Sequence, residues 1–171
     1  MVNEPGAGGA ARRAAADRLL ALLPDWVNTI ARLNSLIAER MGVTLSDLNC
    51  LHELNRHGPA TASALAGRVG LTSGAVSRMI DRLDAAGCVK RVPDPADRRR
   101  VLIEPTAEGL ARIAAYYDGL TARTRDDLAD FTDAEMAALL GLLERTGQST
   151  TAELVRLRAA PPGTRAREQE A

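Results

Sequence analysis

Aromatic side chains are scarce in this chain of 171 residues: Trp26, Tyr116, Tyr117 and Phe131 are the only four. Cysteine is scarcer still. Cys50 lies in an apolar helical pattern and Cys88 at the start of a strand-like run, and the pair makes neither a metal set nor a disulfide framework. Free cysteines of this kind are most often small buried hydrophobes. The only histidines, His52 and His57, have no Cys, Ser or carboxylate at a diagnostic spacing. With no glycine-rich phosphate loop and no metal-ligand cluster either, neither catalysis nor a cofactor is expected. No apolar run reaches the 18 or so residues of a membrane span. The first residues, MVNEPGAGGAARR, lack the apolar core of a signal peptide, so a cytoplasmic location is expected.

The chain also lacks net charge, which taken alone argues against a nucleic-acid partner. The distribution says otherwise. Residues 61–104 hold eight Lys or Arg against five Asp or Glu, a balance of +3, whereas residues 105–160 hold six against nine, a balance of −3. One part of the chain is suited to phosphate and the other is not. The length allows one compact domain with a core and extended flanking helices.

What is present centres on residues 61–106. In TSGAVSRMIDRLDAAG, Val76, Met79, Ile80 and Leu83 recur at helical spacing and form one apolar stripe. The other face carries Ser73, Ser77, Arg78, Asp81 and Arg82, with Thr72 as N-cap and Gly87 as a left-handed terminator. Just upstream, TASALAGRVG predicts a shorter helix packed through Leu65 and Val69 and turned at Gly70-Leu71, which is helix-turn-helix spacing. After Gly87, the aliphatic runs CVKRV and VLIEP flank PDPADRRR, whose prolines and aspartates form turns and whose last three residues are Arg98, Arg99 and Arg100. Permanently charged, planar guanidinium groups on a hairpin tip suit a narrow negative groove or phosphate oxygens. A solvated charged turn is the plainer alternative.

The segment from Leu48 to Gly109 resembles the DNA-binding lobe of the MarR family of bacterial transcription regulators. The DPADRRR wing, the aliphatic strand after it and a following T-x-x-G are the most specific part of the match. Pro105 departs from the pattern, since the family usually has leucine there; a missing strand donor predicts that the outgoing strand ends one residue early. The resemblance implies a mainly α fold with a small β-hairpin wing, and a homodimer that binds a pseudo-palindromic operator in double-stranded DNA. It further implies a regulator, usually a repressor, relieved by a small-molecule and often phenolic effector.

The flanks are read as dimerisation helices over 11–41 and 107–160 around a DNA-binding lobe over 44–106, all in a single domain over 11–160. Residues 1–10 and 161–171 are expected to be flexible tails. In the first helix Val27, Ile30, Leu33, Ile37 and Met41 share a stripe, and Pro24 predicts a break or kink near Leu23. The next helix, from Thr44 to Arg56, opens on a Thr44–Asp47 capping box and faces Leu45, Leu48, Leu51 and Leu54 inward. Thr106 caps a long helix carrying Leu110, Ile113, Tyr117 and Leu120. Thr132 and Glu135 form a second capping box, opening a last helix that extends to Pro161-Pro162.

Thr72, Ser73, Gly74, Ser77 and Arg78 are the candidate contacts of the recognition helix; Arg78 has the alternative of pairing with Asp81 or Asp84. In the wing, the family's D-x-R pattern maps onto Asp97 and Arg99, the aspartate orienting an arginine while Arg98 enters the minor groove beside Arg100. Trp26, His52, Arg56 and Tyr116 are candidates to line an effector pocket, and each also fits ordinary core or surface. Two other readings stay open: a winged helix that binds protein instead of DNA, and a redox-responsive regulator using Cys50 or Cys88. The family's oxidant-sensing members use a cysteine near the N-terminus, and none precedes Cys50.

Overall fold

The computed structural model of the chain describes residues 7–159. The elements run α1 (Ala7–Met41), α2 (Leu45–His57), α3 (Ala62–Val69), α4 (Ser73–Ala85), β1 (Val89–Pro93), β2 (Val101–Pro105), α5 (Ala107–Asp127) and α6 (Asp133–Ala159). This is the mainly helical architecture with a hairpin that the sequence predicts. The chain divides into two compact units, Met1–Asp118 and Gly119–Ala171, at a point inside α5. That division differs from the single domain over 11–160 read from the sequence. Among the described residues, no helix is long and apolar enough to cross a membrane.

Among the described residues, every buried core side chain lies between Ile37 and Ile113, within the first unit. Leu48, Leu51 and Leu54 of α2, Leu65 of α3 and Val76 and Leu83 of α4 are fully buried, and Val89 and Ile103 seat the hairpin against them. Leu45, which the spacing places on the α2 stripe, is 38% exposed. A three-residue step advances about 300° around a helix, so successive leucines drift and Leu45 ends half a turn from Leu54.

One expectation fails in α1. The helix begins at Ala7, inside the tail expected over 1–10, because an alanine-rich run favours helix strongly enough to carry Gly8 and Gly9. The rest of that tail, and the one expected over 161–171, lie outside the described residues. Pro24 does not break α1, which runs on to Met41. Proline withholds one N–H from the Leu20 carbonyl, and at this exposed position water can take that acceptor.

The hairpin pairs Val89 with Pro105 through Pro93 with Val101. Ile103 also exchanges two hydrogen bonds with Ala60, N–H to O at 2.8 Å and O from N–H at 3.2 Å, so an isolated bridge covers the outer edge of β2. Backbone groups alternate sides along a strand. Position 105 therefore points its nitrogen the same way as Ile103, away from β1, and Pro105 costs the hairpin ladder nothing. The strand does not end early.

The capping chemistry read from the sequence is present. Thr44 Oγ1 accepts from the Asp47 N–H, and Asp47 Oδ2 accepts from the Thr44 N–H at 2.8 Å. Asp47 has a second role that the box conceals. Its carboxylate is fully buried and receives a two-pronged bond from Arg82 of α4, Nε to Oδ2 at 2.9 Å and Nη2 to Oδ1 at 2.6 Å. Burial pushes this carboxyl up, but the Arg82 and Thr44 hydrogen bonds outweigh burial and hold it below its ordinary value of 3.8. A folded-state value below the unfolded one gives stabilisation that is complete above pH 3.8 and lost as pH falls through the folded value. Asp47→Asn is expected to cost about 2 kcal/mol at pH 7. In urea melts its deficit against wild type should narrow below pH 3.8; a deficit that stays constant into acid contradicts this role.

Candidate nucleic-acid interface

The recognition helix α4 starts at Thr72, whose hydroxyl accepts from the Ala75 N–H at 3.3 Å. It ends in a Schellman motif: the Cys88 N–H donates to Leu83 O at 2.8 Å, the Gly87 N–H donates to Asp84 O at 2.9 Å, and Gly87 takes φ +68°. Val76, Met79, Ile80 and Leu83 are all buried, as their spacing requires. The rest of the helix faces solvent. Ser73, Gly74, Ser77 and Arg78 are exposed, and Ser77 Oγ donates to Ser73 O at 3.1 Å. A Cβ added at Gly74 meets nothing within 4 Å, so the chain's own packing does not demand glycine there.

Arg78 pairs with neither Asp81 nor Asp84. Both carboxylates are taken by Arg91 of β1, and among the described residues Arg78 enters no ion pair. The exposed face of α4 is thus divided. Arg82 and Asp81 serve contacts within the lobe, while Arg78 and the serines near the N-terminus are available to a partner. Partner-facing polar groups at a helix N-terminus also benefit from the positive end of the helix dipole when the partner is anionic.

The wing tip is held by its own aspartates. Asp94 accepts the Ala96 N–H at 2.8 Å, Asp97 accepts the Arg99 N–H at 3.1 Å, and the Arg100 N–H donates to Asp97 O at 2.8 Å. Asp97 therefore fixes Arg99 through its backbone and not through its guanidinium. Arg98, Arg99 and Arg100 are all exposed and, among the described residues, form no ion pair. Three uncompensated guanidinium groups project from a two-stranded arm beside a polar helix face.

Three contacts of this lobe leave no pattern in the sequence, each made by an arginine whose partner is distant or unpatterned. Arg82 reaches Asp47, Arg91 reaches Asp81 and Asp84, and Arg112 Nη1 of α5 donates to Ala86 O at 2.9 Å, at the C-terminal end of α4. Together they hold α4 from α2, from the wing and from α5.

The candidate pocket residues do not converge in the same way. Trp26 and Tyr116 are 58% and 44% exposed, and Arg56 is exposed. Only His52 is partly enclosed, and it faces Tyr117 at a ring separation of 6.0 Å. Tyr117 donates its hydroxyl to Asn34 Oδ1 at 2.6 Å, tying α5 to α1. Burial lowers the His52 pKa, which keeps the ring neutral at pH 7. A shallow concavity of about 640 Å³ along α1, lined by Asn28, Ala31, Arg32, Ser35, Leu36 and Glu39, contains none of the four.

Both cysteines are buried and free. Burial pushes the Cys50 thiol up to about 11, aided by the Asp47 and Glu53 charges, and burial also raises Cys88 despite the Arg112 charge. A thiol that stays protonated at neutral pH is a poor nucleophile toward oxidants. Iodoacetamide at pH 7.5 is expected to label neither cysteine in the folded protein and both in urea; rapid labelling of the folded protein would revive the redox reading. Among the described residues no group of three or more His, Cys, Asp or Glu is placed to hold a metal ion.

A helix-turn-helix whose second helix shows a polar face, followed by a hairpin tipped with arginine, defines a winged helix-turn-helix DNA-binding protein. The model of the MarR family matches residues 37–101, from the end of α1 to the first residue of β2. Over 121 residues the chain is 34% identical to the uncharacterized HTH-type transcriptional regulator YcgE of Bacillus subtilis (strain 168), covering 71% of this chain and 79% of that protein. It is 29% identical over 111 residues to the HTH-type transcriptional repressor MdtR of the same organism, covering 65% and 72% of the two chains. The crystal structure of apo MarR from E. coli superposes with a TM-score of 0.51 at 27% identity, over 74% of this chain and 96% of that one. The chain belongs to the MarR family: it is a transcriptional regulator with a DNA-binding winged-helix fold, not an enzyme.

Proposed function

We propose that the protein is a homodimeric repressor that binds a pseudo-palindromic operator. In this reading Thr72, Ser73, Gly74, Ser77 and Arg78 meet one major groove, and Arg98, Arg99 and Arg100 reach the adjoining minor groove or its phosphates. The observation that carries it is the cluster of exposed guanidinium groups of Arg78 and the wing tip, left unpaired among the described residues on the helix and hairpin whose other two arginines, Arg82 and Arg91, pair within the lobe. Unpaired guanidinium groups on two adjacent projections match duplex phosphate and base edges better than they match a protein surface.

Two exposed apolar stripes support the homodimer. Leu19, Leu20, Leu22, Trp26 and Val27 on α1 are 46–62% exposed, and Leu140, Leu143, Leu154, Val155 and Leu157 on α6 are 49–61% exposed. Apolar helix faces of this extent mark interaction surfaces, and a two-fold partner would also supply the second recognition helix that a palindrome needs. Repression draws support from the naming of MdtR as a repressor. Relief by a small, possibly phenolic, effector and action in the cytoplasm complete the proposal; the effector has no preformed site at Trp26, Arg56 and Tyr116, so it would bind where the second protomer closes these faces.

Selection from random-sequence duplexes at physiological salt tests this reading. The expected product is an inverted repeat with half-sites about one helical turn, roughly 10 bp, apart. A single unrepeated site would remove the dimer, and no enrichment would favour the protein-binding alternative.

A further inference from the structure

We infer that Arg91 is a positioning residue that sets the angle between the wing and the recognition helix, an inference that rests on the DNA-binding reading. Its guanidinium lies between two carboxylates of α4, with Nη2 2.5 Å from Asp81 Oδ1 and Nη1 on Asp84 Oδ2. Asp81 and Asp84 are three residues apart, and so neighbours on one helix face, and a planar fork spans them where a point charge would not. The base of the hairpin is already fixed by buried Val89 and Ile103. Arg91 sits two residues beyond Val89 and directly opposite Ile103, at the last level where the hairpin has a buried side chain; between it and the tip neither strand buries one.

The placement of the aspartates points to this role. Asp81 and Asp84 stand four and seven residues after Ser77, on the helix face that carries the proposed DNA contacts, so their charges oppose phosphate. Arg91 offsets only one of the two. Exposed ion pairs also contribute little to folding, and these partners are 41%, 67% and 42% exposed for Arg91, Asp81 and Asp84. Carboxylates that repel the ligand and add little stability are accounted for when they aim the arm.

The test compares the full chain with Asp81→Asn/Asp84→Asn, Arg91→Ala and Arg91→Lys, on the duplex that the wild-type chain selects from a random library. Simple electrostatics predicts that the double Asn variant binds more tightly, because it has lost two negative charges per protomer. Positioning predicts the opposite: weaker binding, on the order of tenfold, with the urea midpoint unchanged. Arg91→Ala should weaken binding without changing the salt slope, since its charge is spent on carboxylates and releases no counterion from DNA. Arg91→Lys should resemble Arg91→Ala, because an ammonium cannot bridge both aspartates. Selection repeated with the double variant should keep the central base preferences and lose the flanking ones. Equal or tighter binding by the double variant overturns the inference. So does a salt slope that falls by roughly one per protomer in Arg91→Ala, which would make Arg91 a phosphate contact. A wild-type chain that selects no duplex overturns the DNA-binding reading and this inference together, whereas a selected duplex with indifferent variants overturns the inference alone.

Discussion

Gly109→Val is expected to destabilise the protein by on the order of 3 kcal/mol, among the largest effects of any single substitution in the lobe. A Cβ built at Gly109 would stand 2.6 Å from Cys88 Cα and 3.0 Å from Cys88 O. Both are backbone atoms, held by the Schellman turn at the end of α4 and by the Thr106 N–H, which donates to Cys88 O at 2.9 Å. Neither can yield as the tip of a flexible side chain would. Thr106 completes the joint, since its hydroxyl donates to Gly87 O at 2.6 Å and accepts the Gly109 N–H at 2.9 Å. The T-x-x-G spacing is thus the seat on which α5 meets the end of the recognition helix. With a urea m-value of about 2 kcal/mol/M, the midpoint should fall by roughly 1.5 M. A midpoint within experimental error of wild type would mean that α5 can lift off Cys88 freely and that the joint is not rigid.

Replacing Arg98 with alanine is expected to leave stability within about 0.5 kcal/mol, as for other exposed sites free of special contacts, yet to weaken DNA binding on the order of tenfold. Arg98 is exposed, unpaired among the described residues, and carried on a tip whose shape is set by Asp94 and Asp97. Each lost phosphate or groove contact releases fewer counterions, so the slope of log K against log salt should become shallower by roughly 2 for a dimer with two wings. Changing Arg98, Arg99 and Arg100 together should deepen both effects. Affinity and slope that both survive the triple substitution would remove the wing from the mechanism and leave α4 to bind alone.

How much of this was legible in the sequence follows from the range of the interactions. The stripe of α4, the caps at Thr44, Thr72 and Thr132, and the left-handed Gly87 are set by residues within one or two turns of one another, and they could be read directly. Glu135 illustrates the point: its carboxylate accepts from the Thr132 N–H at 2.9 Å, as the capping box requires. Pro24 leaves α1 unbroken because the other hydrogen bonds of a long helix survive the loss of one. The Ala60 bridge escaped notice because a single strand residue has no periodicity.

The site was legible in its charges and not in their allegiance. Arg78, Arg82 and Arg91 are equivalent as letters, yet one is unpaired among the described residues, one grips a carboxylate 35 residues away and one braces the wing. The candidate effector residues do not converge within one chain, for a related reason. Composition identifies Trp26 and Tyr116 as aromatics available, but both are exposed, whereas Tyr117, which the helical spacing puts on the stripe of Leu110 and Ile113, turns inward.

The central claim, that α4 and the arginine wing together grip duplex DNA, is tested most directly by dimethyl sulfate protection on the selected repeat. The reagent marks guanine N7 in the major groove and adenine N3 in the minor groove, and these edges are the ones the two elements would cover. The account predicts N7 protection within each half-site and N3 protection on its outer flank, the latter lost when Arg98, Arg99 and Arg100 are replaced by alanine. Protection confined to one groove, or a pattern that the wing substitutions leave intact, would contradict it.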